Sequence, residues 1–199
     1  MITFVLFSTL ATFYFTMFFT PGPNNAMLTA SGMKFGFIRT LPHLIGITLG
    51  HILQIGLTCL GLANLFLLYP QVQFYMKILC FLYLLYLGWK MIGSFSMIQK
   101  ETGRPLRFYE ASAFQFINPK AWSIAVTVAS GFFPTEENIF VGVLFVVITA
   151  AIINFPVCSL WALFGSGLRK FVNDVKVKKI IEYLLALLLV LTGIFILLK

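Results

Sequence analysis

The sequence predicts an all-α fold: a polytopic membrane protein with six transmembrane helices, arranged as two inverted three-helix halves. Three observations predict it. Hydrophobic residues fill 60% of the 199 positions and charged residues only 10%, where soluble domains carry about 25% charge. Mean hydropathy is +0.97, and the apolar residues form runs of membrane-spanning length, ~20 residues each. The basic residues collect between alternate runs.

Met1 to Met33 contains no charged side chain. The positive segment of a cleaved leader is missing, so this stretch is expected to be the first permanent span. Between Arg39 and Lys77 there is again no Asp, Glu, Lys or Arg. That length accommodates a second helix, a turn at Tyr69-Pro70-Gln71 and the start of a third span, Phe74 to Phe95. Lys77 and Lys90 stand near the ends of the third span, where long stems reach the interface. A polar stretch, Gln99 to Arg107, closes the first half. The fourth span covers Glu110 to Phe133 and stops at Pro134 and the Glu136-Glu137 pair. The fifth runs from Asn138 to Leu168, and the sixth, after the basic segment Arg169 to Lys179, from Ile180 to Leu198. The chain therefore reads as a single transmembrane domain, 1–199, with halves of about 1–99 and 100–199.

Charge placement sets the expected orientation. Lys34, Arg39, Lys90, Lys100, Arg104, Arg107, Lys120, Arg169, Lys170, Lys176, Lys178 and Lys179 fall on one side, leaving only Lys77 and Lys199 of the 14 bases on the other. Basic loops stay in the cytoplasm, which places both termini outside it. Three spans per half give the second half the opposite orientation to the first, the arithmetic of an inverted repeat.

Composition also excludes function classes. A net charge of +8 raises the question of nucleic acid, but the aromatics lie inside apolar runs and the bases between them, so no stacking basic face forms. Cys59, Cys80 and Cys158 are isolated in apolar segments without a CxxC or a Cys/His cluster, so no metal and no cofactor are expected. An intramembrane hydrolase would need a nucleophile with its base, or a metal cluster, at membrane depth; no HExxH, GxSxG or paired aspartates occur. A membrane thiol–disulfide electron carrier would need paired intramembrane cysteines, and spans 1 and 4 contain none. A structural membrane subunit is the remaining alternative, and the motifs below argue against it.

Three spans set proline beside asparagine: Thr20-Pro21-Gly22-Pro23-Asn24-Asn25, Asn118-Pro119-Lys120 and Asn154-Phe155-Pro156. Proline removes a backbone donor and clashes with the preceding turn. In lipid, freed backbone is tolerated only where protein or a water-filled cavity satisfies it. Pro21 and Pro119 fall in corresponding spans of the two halves, the pattern that points to a transport site. The candidate substrate-binding residues are Pro21, Gly22, Pro23, Asn24, Asn25, Asn118, Pro119, Lys120 and Asn154. Broken helices offer N–H groups to a carboxylate and carbonyls to an ammonium. With no Asp or Glu deep in a span, the expected site has dipoles without fixed charge and suits a small zwitterion. Lys120 either faces that cavity or reaches the cytoplasmic surface. His51 is the candidate proton-coupling group; the plainer reading is a neutral histidine hydrogen-bonded across helices. Gly46-x-x-x-Gly50, followed by Gln54, reads as a close helix–helix contact.

The segment Thr20-Pro-Gly-Pro-Asn-Asn25, with six spans in about 200 residues, resembles the LysE/RhtB amino-acid exporters. The likeness continues through Phe108 to Lys120, Trp161 to Gly165 and Leu184 to Val190, and is strongest to the cysteine/O-acetylserine exporter branch. Pro21, Gly22, Pro23 and Asn24 match the first motif, and Asn118 and Lys120 the second. The resemblance implies efflux of small neutral amino acids or derivatives, driven by the proton gradient, in a bacterial inner membrane. Its partners would be an amino-acid substrate, protons and the bilayer; a homo-oligomer is compatible with the fold.

Overall fold

A computed structural model of the chain describes residues 2–62, 68–92, 103–171 and 175–198. Among these residues all regular structure is helical. In chain order the helices are α1 (Phe4–Phe19), α2 (Pro23–Phe35), α3 (Phe37–Leu57), α4 (Pro70–Met91), α5 (Phe108–Ile117), α6 (Pro119–Gly131), α7 (Ile139–Phe171) and α8 (Val175–Leu198). A wider helical turn, Thr58–Leu62, extends α3. Gln99 to Thr102, which holds Lys100, lies outside the described residues, as do Asp174 and Lys199.

Among the described residues, two helical segments are long and apolar enough to cross a membrane, Phe37–Gly61 and Ile139–Leu168. The pair α1–α2, bent by 57° at its break, makes a third if it counts as one broken span. The expected fourth span is two helices, α5 and α6, divided at Asn118. The expected fifth span is continuous: α7 runs through Pro156 as one helix of 33 residues. The third element begins at Pro70, earlier than expected, because Pro70 opens the helix where its missing N–H has no partner to lose.

Local chemistry explains the first helix. Apolar side chains surround α1, and its hydroxyls fold back on their own backbone: Thr9 Oγ1 donates to the Val5 carbonyl, Thr12 to Ser8 and Thr16 to Thr12, each at 2.8 Å. A hydroxyl satisfied in this way can face lipid. The chain passes directly from α2 to α3 at Gly36, whose φ of 82° favours glycine.

Backbone-to-backbone contact holds the bundle. Cβ atoms added at Gly32 and Gly165 would strike the carbonyl oxygens of Ala162 and Thr29, so α2 and α7 touch along their main chains. Gly46 and Gly50 do the same for α3 against α5, where a Cβ at Gly50 would lie 2.6 Å from Ser112 Cα. Ser112 Oγ donates to the Gly46 carbonyl at 2.9 Å. The expected glycine contact is therefore present, with α5 as its partner. Between these seams, Leu10, Tyr14 and Phe18 of α1 pack on Ile55, Ile124, Val128 and Val146. The buried Tyr14 hydroxyl donates to the Val146 carbonyl.

The two ends of the bundle are also fixed. Ile2 N–H donates to Glu137 at 3.1 Å, joining the amino end to the segment before α7. At the opposite end, Gly103 lies against the Lys34 ammonium, joining the α2–α3 corner to the segment before α5.

Overpacking a tight seam costs about 1–3 kcal/mol or more. Gly165→Val is therefore expected to lower the melting temperature of the purified protein in detergent. Gly131→Ala, with nothing within 4 Å of its new methyl group, is expected to leave it nearly unchanged.

Candidate functional site

The first break begins where α1 runs out of donors. Pro21 and Pro23 carry no N–H and the chain leaves the helix at Gly22, so the carbonyls at the end of α1 lose their helical partners. Asn25 repairs two of them: its Nδ2 donates to Phe18 O and to Thr20 O, both at 2.9 Å. Gly22 is extended at φ −176°, and α2 starts at Pro23. Asn24 and Asn25 stand in the first turn of α2, where backbone N–H groups have no carbonyl one turn earlier to receive them.

The second break follows the same logic with different donors. Pro119 cannot donate to the Gln115 carbonyl, and Gln54 Nε2 takes over from α3 at 3.0 Å. The N–H of Lys120 turns to Asn118 Oδ1 at 3.1 Å, capping α6. That leaves the Phe116 carbonyl, which accepts from Trp122 Nε1 at 2.9 Å. These buried repairs explain how two interrupted helices persist in an apolar bundle.

Side chains then tie one break to the other. Lys120 Nζ donates to Thr20 O at 2.5 Å and reaches Pro21 O at 3.4 Å. A Cβ at Gly22 would lie 3.0 Å from that same Nζ, so the glycine admits the ammonium. Asn24 and Gln115 exchange two amide hydrogen bonds, at 2.8 and 3.2 Å.

Between the breaks lies a cavity of about 20 Å³, room for roughly one water molecule. Gly22, Pro23, Asn24, Asn25, Asn118, Lys120, Asn154 and His51 all line it. Seven of the nine expected binding positions thus converge, with His51 beside them. Pro21 and Pro119 are not in the lining: Pro21 offers its carbonyl to Lys120, and Pro119 opens α6. One expectation is corrected here. The cavity is not free of fixed charge, because the partly buried Lys120 faces it with its ammonium on the Thr20 carbonyl.

Asn154 and His51 come to this cavity from α7 and α3. Asn154 Oδ1 accepts from Thr48 Oγ1 at 2.9 Å and from Cys158 Sγ at 3.4 Å. Both bonds end on the oxygen, leaving the NH2 for the cavity. The His51 ring is buried edge-on against Phe18, with centroids 5.2 Å apart. Neither ring nitrogen has a hydrogen-bond partner among the described residues; the Ala121 backbone faces the ring without good hydrogen-bond geometry. The cross-helix bond of the plainer reading is thus not formed among these residues. His43 is equally buried and unpartnered, away from the cavity.

Sequence reasoning missed Gln115, Thr48 and Cys158. The signal for Gln115 was an amide one turn before Asn118 in an apolar run; its partner Asn24 lies 91 positions away.

What the arrangement can do is bind an anion. A lysine ammonium, the open first turn of α2 and an asparagine NH2 are all donors around one small cavity. A zwitterion's ammonium would find acceptors in an unprotonated His51 nitrogen and the carbonyls that Lys120 now holds.

The LysE type translocator family model matches residues 15–199. A cysteine/O-acetylserine efflux protein of Salmonella paratyphi A is 30% identical over 147 residues, covering 73% of this chain and 75% of the relative. The protein of that name in Salmonella typhi matches to the same extent. One in Shigella flexneri is 28% identical over 162 residues, 81% of this chain and 83% of its own length. No solved structure matches the chain.

Proposed function

Because the chain belongs to the LysE type translocator family, we propose that it exports small neutral amino acids or their derivatives, cysteine and O-acetylserine among them, from the cytoplasm. The observation that carries this reading is the convergence of both helix breaks on one cavity that Lys120 faces. The substrate carboxylate would take the Lys120 ammonium and the first turn of α2, where charge and dipole act together. The substrate ammonium would take the Thr20 and Pro21 carbonyls that Lys120 releases. Asn118 and Asn154 would supply the remaining hydrogen bonds.

Efflux from cells, or uptake into inverted vesicles, tests this with radiolabelled cysteine, O-acetylserine, threonine, homoserine and leucine. At least one is expected to move in a manner that depends on the protein. A charged hydrogen bond contributes about 1.5–3 kcal/mol, so Lys120→Met is expected to lose about ten- to a hundredfold in transport. Asn24→Ala and Asn118→Ala are expected to abolish transport while insertion in the membrane continues. Normal export by all three variants would remove the cavity as the substrate site.

The energy source in this reading is the proton gradient, with His51 as the coupling group. It is buried, unpartnered among the described residues and in the cavity lining. His51→Gln keeps size and hydrogen bonding but cannot titrate near neutral pH. The variant is expected to transport without its usual response to a collapsed proton gradient; a retained response would return His51 to a structural role.

The domain in this reading is six spans in two inverted halves of about 1–99 and 100–199, in the bacterial inner membrane with both termini periplasmic. Support comes from the base distribution and from the contacts at the two ends, Ile2 with Glu137 and Lys34 with Gly103. Reporter fusions at the C-terminus are expected to report the periplasm, and a cytoplasmic signal there would overturn the orientation.

A further inference from the structure

Gln115 is absent from the cavity lining and fully buried on α5, one turn before the second break. Its side chain has three partners. Nε2 donates to the Ala111 carbonyl at 2.9 Å and to Asn24 Oδ1 at 3.2 Å, while Oε1 accepts from Asn24 Nδ2 at 2.8 Å.

A peptide carbonyl can only accept, so the bond to Ala111 decides which end of the Gln115 amide carries its hydrogens. That decision passes to Asn24, because the two amides face each other as a closed pair. Asn24 must turn its NH2 toward Oε1 and its oxygen toward Nε2. One N–H and one oxygen lone pair remain to Asn24, which lines the cavity. We infer that Gln115 is a positioning residue for substrate recognition: through the paired amides it fixes the donor and acceptor that Asn24 presents to a bound amino acid. This rests on the reading of the cavity as the substrate site.

Without Gln115, the terminal torsion of Asn24 is broad and nearly two-fold, so its amide would present donor and acceptor in either sense. The backbone around position 115 does not depend on the side chain. Its carbonyl is held by Gln54 and by Asn118 N–H, and α5 is held to α3 at Gly46 and Gly50. A change at Gln115 should therefore act on recognition more than on folding.

The test is transport kinetics in inverted vesicles, using whichever amino acid of the panel the wild type moves fastest. It compares Gln115→Leu, Gln115→Asn, Asn24→Gln and the double swap Asn24→Gln/Gln115→Asn. The swap moves one methylene from one partner to the other and conserves the summed length of the pair. Each Gln115 single variant is expected to raise KM about tenfold, the equivalent of one lost hydrogen bond. Maximal rate and melting temperature in detergent should change little. The double swap is expected to recover most of the loss, which a role confined to filling space would not produce. If Gln115→Leu fails to insert, Gln115→Asn and its repair by the swap carry the test alone. An unchanged KM in the Gln115 variants, or a double swap no better than its worse single, overturns the inference. If that happens while Asn24→Ala abolishes transport, the exporter reading stands without it. A wild type that moves none of the panel overturns both.

Discussion

Breaking a helix inside a bilayer releases N–H and C=O groups into a medium with nothing to receive them. Each costs several kcal/mol unless the protein itself supplies a partner. The chain breaks helices at Thr20–Gly22 and at Asn118, and the polar side chains gathered around them can be understood from that constraint. Asn25, Gln54, Trp122 and Lys120 each donate to a carbonyl at one of the breaks. The same constraint explains an asparagine at each of the two breaks: Asn118 caps the helix that Pro119 opens, and Asn25 reaches back over Pro21.

The repairs come from different parts of the chain, and that gives the site its geometry. Gln54 brings α3 to the second break, and Lys120 brings the second break to the first. The result is a cavity walled by the two breaks and by the sides of α3 and α7, which bring His51 and Asn154. The seams around it allow little movement. Gly32 with Ala162, and Gly46 with Phe108, meet backbone to backbone, where a single added methyl group would collide. Interiors packed this closely move as units. The breaks are held instead by hydrogen bonds from the side chains of Asn25, Gln54, Trp122 and Lys120. A cavity of about 20 Å³ is smaller than any amino acid, so in the proposed function substrate entry would require the breaks to part.

In the proposed function Lys120 would link binding to that movement. Its ammonium rests on the Thr20 and Pro21 carbonyls, beside the first turn of α2. An entering carboxylate would compete with those carbonyls for the same cation. If Lys120 turned to the carboxylate, the end of α1 would lose a donor that the substrate ammonium could replace, so substrate and lysine would exchange partners with little net loss of hydrogen bonding.

The sequence by itself determined the helical class, the membrane setting and the positions of both breaks. Composition, span-length apolar runs and Pro-Gly-Pro are local properties, and lipid leaves few structures that can satisfy them. It also determined that Gly46 and Gly50 form a close seam, because two glycines one turn apart cannot cover a helix face. Tertiary structure decided which elements meet. Pro156 resembles the other prolines in the sequence, yet α7 passes through it unbroken, packed along α2 and α3. Lys120 was open to either the cavity or the surface; only the approach of Gly22 and the Thr20 carbonyl turned it inward. Gln115 carried only the weak local signal of an amide in an apolar run, since its partner is Asn24, 91 positions earlier. Hydrogen bonds over such distances depend on where rigid helices cross, and no spacing within one helix encodes that.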